Sequence, residues 1–309
     1  MMLRHAMDVN RCGCGLRLGL VEITRVEDYQ GPGLKSTGMF PDFRPEMWQA
    51  QKDWLVPAFY DPQEDRIRTS IHSWLVRTPH HTILIDSCIG NHKERPVDPR
   101  FHMRNEPWIE RLARAGAKPE DIDFVMCTHF HADHVGWNTR LENGRWVPSF
   151  PNAKYLFTKK EFARWDDRRP DYVHRESERF IFADSVLPVV EAGQMELVDE
   201  GYTLDDAMTV EAAYGHTPGH IKIRLRTDGG HALFCGDVIH HPIQLPYPKV
   251  YSVFDDDPVQ ALQTRLDVLD NCAAHGILLL PTHFAEPYLC RIDSVGTAQE
   301  PSYMPIWQR

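Results

Sequence analysis

The sequence predicts an α/β fold: one layered domain with its chemistry gathered at one edge. Three observations carry this. Strand-like and helix-like patterns are mixed along the whole length rather than segregated into blocks, which indicates layered packing. Several strand-like runs are apolar on both faces, as strands covered on both sides must be. The 309 residues suffice for a large core without disulfide staples. The domain is expected over residues 16–309, after a disordered leader of residues 1–15.

The elements follow in order. "GLVEITRVEDY" (19–29) alternates as a strand. "QGPGLKSTGMFPDFRPEMW" (30–48) is rich in Gly and Pro, carries Met39, Phe40, Phe43 and Trp48, and reads as a long loop of the kind that often serves function. "SIHSWLVRT" (70–78) and "HTILIDSCIG" (81–90) read as two strands around a "PHH" turn. "EPWIERLARAG" (106–116) reads as a helix: Pro107 suits its first turn, Trp108, Ile109, Leu112 and Ala115 share a face, and Gly116 suits the stop. "IDFVMCT" (122–128) is a buried strand. The rhythm then repeats, with a strand at 154–158, a helix at 159–165, strands near 208–213, 221–226 and 232–235, a long helix at 258–275 and a strand at 277–280. The charged stretch 165–179 is expected to be a solvated helix or insertion.

Composition excludes several function classes. The chain is 42% hydrophobic and 25% charged, as ordinary globular proteins are. A formal net charge of −10 argues against a nucleic-acid partner. There is no apolar run of the roughly 18 residues a membrane span needs. The start "MMLRHAMDVNRCGCG" has basic residues but no apolar stretch after them, so no secretory signal is read there. The seven scattered cysteines fit free thiols in a reducing compartment, hence a cytoplasmic expectation. Cys12 and Cys14 are the only close pair, and no second pair follows at ligand spacing, so they read as thiols of the leader.

The chemistry concentrates in "THFHADHVGW" (128–137). His129 and His131 are two apart at a strand end, so their side chains are expected on one side. Asp133 and His134 follow after a turn, so one short loop can aim two residues at one point and two at a neighbouring point. That suits two metal ions close together. Further candidates lie past other apolar strands: His216 in "YGHTPGH", Asp237 in "LFCGDVIHH" and His283 in "LLLPTHF". Ligand clusters in layered α/β proteins sit at such strand ends. A lone loop histidine is ordinarily just solvated, and among the 17 histidines His5, His80, His81, His92 and His275 are placed in that class.

"HFHADH" resembles the H-x-H-x-D-H signature of the metallo-β-lactamase superfamily of hydrolases, and "GHTPGH", "GD" and "TH" follow in that superfamily's order. The resemblance runs from about residue 20 to residue 284. It implies an αββα sandwich: two mixed β-sheets face to face, flanked by helices, with metals at one edge. It further implies that His129, His131 and His216 hold a first metal, that Asp133, His134 and His283 hold a second, and that Asp237 bridges both. "LIDSCIG" places Asp86 near the site, as an orienting or a plain structural residue. The expected cofactors are two divalent ions, Zn2+ first, with Fe, Mn or Co also compatible with imidazole and carboxylate ligands. Two ions about 3.5–4 Å apart lower the pKa of a water between them from about 15.7 toward 7, and the bridging hydroxide is the expected nucleophile. Asp133 is therefore counted among the catalytic residues as well as the ligands.

Departures choose the branch. The commonest β-lactamases use a cysteine where this chain has Asp237. No basic glutathione-binding region follows His283, no large nuclease insertion is present, and the histidines lack the acidic replacements of the flavin-linked di-iron branch. What remains resembles the lactonase and esterase-like branch, including the acyl-homoserine lactonases. Those place a tyrosine three residues after the bridging aspartate; here that position is His240, followed by His241. His240 could hydrogen-bond the substrate, act as general acid, or only pack at the rim. The expected reaction opens a lactone or ester of a hydrophobic substrate. A phosphotriesterase or hydrolytic dehalogenase is the alternative, with a β-lactamase or a non-catalytic binding relative behind them. Met39, Phe40, Phe43, Trp48, Phe101, His102, Trp137 and Tyr247 suggest an apolar pocket. The expected partner is thus a small hydrophobic or aromatic substrate, with no nucleic acid, no membrane, and room for a homodimer.

Overall fold

The computed structural model describes residues 15–172 and 175–308. Cys12, Cys14 and all of the expected leader but Gly15 lie outside them.

Two mixed sheets form the centre. The N-terminal sheet runs in the order Gly15–Leu18, Val21–Lys35, Arg66–Arg77, Thr82–Ile85, Phe124–Met126, Lys154–Thr158, Met195–Val198, with Tyr60–Asp61 paired to Arg66–Arg77. The C-terminal sheet runs Thr203–Leu204, Met208–Ala212, Ile221–Thr227, Gly230–Gly236, Leu278–Pro281, Cys290–Ser294, Tyr303–Trp307. Side-chain alternation builds the layers. Trp74, Val76, Ile83, Ile85, Met126 and Leu156 pack between the sheets against Val210, Ile223, Phe234, Leu278 and Leu280. Their neighbours Leu75, Leu84, Val125, Tyr155 and Phe157 point the other way, under Trp108, Leu112 and Trp165. On the far side Leu233, Cys235 and Leu279 meet Val268, Leu269 and Cys272 of the helix Pro258–His275. Period-2 strands buried on both faces thus produce the αββα sandwich that the resemblance implied.

The strands place the loops. Thr82–Ile85, Phe124–Met126 and Lys154–Thr158 are parallel, so their C-terminal ends share one edge, and Gly230–Gly236 and Leu278–Pro281 are likewise parallel. Asp86, Thr128–His134, Glu161, Asp237 and His283 all lie just past those ends. Crevices beyond the carboxyl ends of parallel strands are where α/β proteins gather their sites.

Several expectations change. The strand read at 19–29 is Val21–Lys35, reached through a turn with Gly19 at φ +60° from Gly15–Leu18. The long loop 30–48 is partly that strand, then the short helices Ser36–Met39, Pro45–Ala50 and, beyond it, Lys52–Leu55. Met39, Phe40 and Phe43 are buried in a cluster with Phe59, Ile243, Val250 and Ala285, with Trp48 and Tyr247 packed against it. Trp137 stacks on Trp108, ring centres 5.1 Å apart, within the outer core. Core packing therefore accounts for much of what read as pocket lining. The stretch 165–179 begins at a buried tryptophan, and among its described residues beyond Trp165 the helical content is one 3-10 turn, Glu176–Glu178. The hairpin Thr139–Glu142 and Arg145–Pro148 and the strands Cys290–Ser294 and Tyr303–Trp307 were not foreseen. Among the described residues no helix is long and apolar enough to cross a membrane.

Candidate metal centre

The strand before the H-x-H-x-D-H segment ends at Met126, so strand alternation is not what brings His129 and His131 together. The loop does it. His131 Nδ1 lies 3.0 Å from His129 Nε2 and 2.9 Å from His216 Nε2. Asp86 ties the loop down: its carboxylate accepts from the Thr128 amide (2.7 Å), the Thr128 hydroxyl (2.9 Å) and His134 Nδ1 (2.9 Å). Of the two roles read for Asp86, the geometry is that of an orienting residue.

Hydrogen bonds set which nitrogens face inward. The Thr128 hydroxyl donates to Asp86, so it accepts from His129 Nδ1 at 3.1 Å and leaves Nε2 as the bare nitrogen. His134 Nδ1 donates to Asp86, His216 Nδ1 to Asp255 at 3.0 Å, and His283 Nδ1 to the Ser70 carbonyl at 3.1 Å. With Nδ1 anchored, His129, His134, His216 and His283 turn Nε2 inward, and His131 turns Nδ1 inward. Anchoring one ring nitrogen to orient the other is how proteins prepare histidines for a cation.

Asp237 lies among them. Its Oδ1 is 3.2 Å from His134 Nε2 and 3.0 Å from His283 Nε2. Its Oδ2 is 3.4 Å from His216 Nε2 and 3.9 Å from His129 Nε2. The ligand-type atoms of His129, His131, His216 and Asp237 lie within 4.8 Å of one another, as do those of Asp133, His134 and His283. Gly236 makes this approach possible: at φ +50°, a Cβ there would stand 2.7 Å from both His220 Nε2 and Thr128 Oγ1.

The electrostatics divide the cluster. Burial, then the charges of neighbouring histidines, push His129 and His131 well below the usual histidine range. Burial works the same way on His134 and His283, but Asp237 and its fellow carboxylates overcome it and hold both above that range. Burial alone would raise Asp237; His134, His283 and His240 instead hold its carboxyl well below the usual value. His134 Nε2 and Asp237 Oδ1 are buried without a hydrogen-bond partner. Imidazole nitrogens and carboxylates brought this close, with buried polar atoms left unpartnered, are expensive unless a cation sits among them, so the residues fit divalent metal ions.

All the metal-site residues read from the sequence meet here. His240 joins them: it is buried, its Nε2 is 3.3 Å from Asp237 Oδ2, and its ring lies parallel to that of His283. Neither of its nitrogens has a hydrogen-bond partner. His241 turns away, with Nε2 donating to the Phe59 carbonyl at 2.8 Å and Nδ1 accepting from the Ile243 amide. Three residues escaped the sequence reading. His220 Nε2 accepts the Asp237 amide at 3.0 Å, and its place in "GHTPGH" was the signal. Asp255, paired with Arg265, backs His216, and buried Glu161 joins two loops; neither stands in a motif.

A family model described as the metallo-beta-lactamase superfamily matches residues 66–275. An N-acyl homoserine lactonase AttM from Azorhizobium caulinodans is 28% identical over 167 residues, covering 50% of this chain and 58% of its own. A hydroxyacylglutathione hydrolase from Aeromonas hydrophila subsp. hydrophila is 26% identical over 185 residues, covering 60% of this chain and 49% of its own. The chain thus spans about half the length of these curated relatives. Among solved structures, the hydrolase AbOPH of the beta lactamase superfamily aligns with TM-score 0.77 and 26% identity over 96% of this chain and 97% of its own. AidC, a dizinc quorum-quenching lactonase in complex with a product, aligns with TM-score 0.76 over the same shares, and at 21% identity its likeness concerns the fold.

Proposed function

The chain belongs to the metallo-beta-lactamase superfamily, and from that premise we propose that it is a metal-dependent hydrolase that opens a lactone or ester of a hydrophobic substrate at a two-metal site. One observation carries the reading: five imidazoles each turn one ring nitrogen inward around a single buried carboxylate, Asp237. In this reading His129, His131 and His216 hold one ion, Asp133, His134 and His283 the other, and Asp237 touches both. When bound, two divalent ions supply an acidified water and polarise the substrate carbonyl.

The chain's own residues do the rest. Asp86 and Asp255 fix the ring tautomers, so no reorientation is needed before reaction. Asp133, whose side chain is 15% exposed, and His131, also partly exposed, mark where solvent and substrate reach the cluster. His240 stands over Asp237 with both nitrogens unpartnered, available to hydrogen-bond a substrate oxygen as charge grows on it. The lactonase relatives support a lactone over the alternatives.

The test is elemental analysis of the pure protein, followed by a screen of lactones, aryl esters, phosphotriesters and β-lactams. Two ions per chain with lactone or ester turnover is expected. At most one ion in fully loaded, active protein removes the two-metal reading, and phosphotriester turnover alone moves the substrate.

A further inference from the structure

Glu161 is 1% exposed and accepts four hydrogen bonds on one carboxylate. Oε1 takes the Phe130 amide at 3.0 Å and the Trp165 indole N–H at 2.7 Å. Oε2 takes the Thr217 hydroxyl at 2.7 Å and the Gly219 amide at 3.1 Å. Phe130 sits between His129 and His131, while Thr217 and Gly219 follow His216. Two separate loops are therefore joined through one side chain, at the start of the helix Lys159–Trp165. Contact with the second loop is close: a Cβ on Gly219 would stand 2.2 Å from the Glu161 backbone nitrogen. Trp165, held by the same carboxylate, packs its ring edge-on against His131 at 5.6 Å.

We infer that Glu161 is a positioning residue that sets the distance between the His129/His131 loop and the His216 loop, and through it the affinity of the first metal ion. The inference rests on the metal reading above. The chemistry is specific to a carboxylate. Four donors converge on two oxygens, and only an ionised carboxyl offers an acceptor to each. A glutamine keeps the size but turns an N–H₂ toward one pair of donors. The cheaper orientation faces Thr217, whose hydroxyl can reverse, and leaves the Gly219 amide opposite another donor. Glu161→Gln therefore loosens the His216 loop and spares the contact to Phe130. Thr217→Val removes one bond at nearly constant volume.

The experiment titrates metal-free protein with Co2+, following its absorption bands and the heat of binding. Wild type is expected to take two ions. Glu161→Gln should melt cooperatively, bind the first ion at least about ten-fold more weakly with altered Co2+ bands, and change the second far less. Thr217→Val should move the same way by a smaller factor, and it reports even if Glu161→Gln fails to fold. Tyr303→Phe loses a 2.7 Å bond to Asp270 away from the site and serves as the stability control, with wild-type affinity expected. First-ion affinity in Glu161→Gln or Thr217→Val equal to wild type overturns the inference, as does an equal loss in Tyr303→Phe. Wild type that takes up no Co2+ overturns the metal reading itself, and is distinguishable because no variant is needed to see it.

Discussion

The two halves of the candidate centre are held differently. His129, His131 and His216 form a closed group: their ring centres are 4.6 to 4.7 Å apart, all three edge-on to one another, and they stand on loops tied by Glu161, Thr128 and Asp255. Asp133, His134 and His283 form an open group. His134 is fixed by Asp86, His283 by a single backbone carbonyl, and Asp133 reaches solvent. Without metal, Asp237 and its fellow carboxylates raise His134 and His283 above the usual histidine range, whereas burial pushes His129 and His131 below it. The closed group is preorganised for a cation, and the open group must give up protons to take one. The first ion is accordingly expected to stay through a chelator titration that strips the second, with metal content passing through a plateau at one ion per chain. Simultaneous loss of both would erase the distinction.

The largest mutational effect is expected at the point the halves share. Asp237 sets Oδ1 beside His134 and His283 and Oδ2 beside His216. Asp237→Ala should leave at most one ion per chain and lower activity by on the order of 10³-fold or more, since the ions supply several kcal/mol of transition-state stabilisation. Retention of both ions would show that the halves are independent.

Next come the supports. Asp86→Asn disturbs the Thr128 amide and His134 together, so it touches the closed and the open group. Asp255→Asn weakens the support of His216 Nδ1 and, behind it, the contacts to the Ser252 amide and Arg265, so within the centre it touches the closed group. Loss of such supports typically costs about 10- to 100-fold in metal affinity or activity. Asp86→Asn should fall at the upper end with both ions weakened, and Asp255→Asn at the lower end with the first ion alone affected. Calorimetric titration of each with Zn2+ reads the difference.

His240 probes the space above both groups. His240→Ala should lower kcat by roughly ten- to hundred-fold, more than it raises KM, with both ions retained. Unchanged kcat on the best substrate would assign the ring to packing against His283 and His216.

Legibility followed range. The strand Lys154–Thr158 and the helices Lys159–Trp165 and Pro258–His275 were readable to the residue, because their caps are local: Thr158 accepts the Glu161 amide, Asp257 accepts those of Val259 and Gln260, and Gly276 ends its helix at φ +60°. The residues that converge on Asp237 were legible because their motifs are short. Asp255 and Glu161 were not, because they act across 39 and 56 residues of sequence. The reason given for His129 and His131 also failed, since a turn rather than a strand aims them. Segment 30–48 looked like open loop because its apolar side chains are covered from afar. Trp307 of the unforeseen last strand stacks on Phe59, 5.1 Å between ring centres, in the layer that buries Phe40 and Phe43.

The smallest catalytic effect is expected at His241, which lies outside both groups although it follows His240. Its ring is buried, joins the Asp237 loop to the Phe59 carbonyl, and sits beside Phe40 and Phe59. His241→Ala should leave both ions bound and kcat within about three-fold, while lost hydrogen bonds and a cavity lower stability by about 2–3 kcal/mol at pH 7. It is thus no neutral neighbour of His240, which a motif reading alone would have made it. The pH dependence sharpens the assignment. Burial pushes His241 down to about 4 from an ordinary 6.5. Between those values the unfolded chain binds more protons than the native one, so the wild type loses stability as pH falls from 6.5 toward 4. At pH 5 the loss through this group is about 2 kcal/mol, and the alanine variant does not suffer it. Urea melts of metal-free protein should therefore show the gap between wild type and His241→Ala nearly closing from pH 7 to pH 5. A constant gap would mean that the ring is not held neutral, and a loss of metal in the variant would place His241 inside the centre after all.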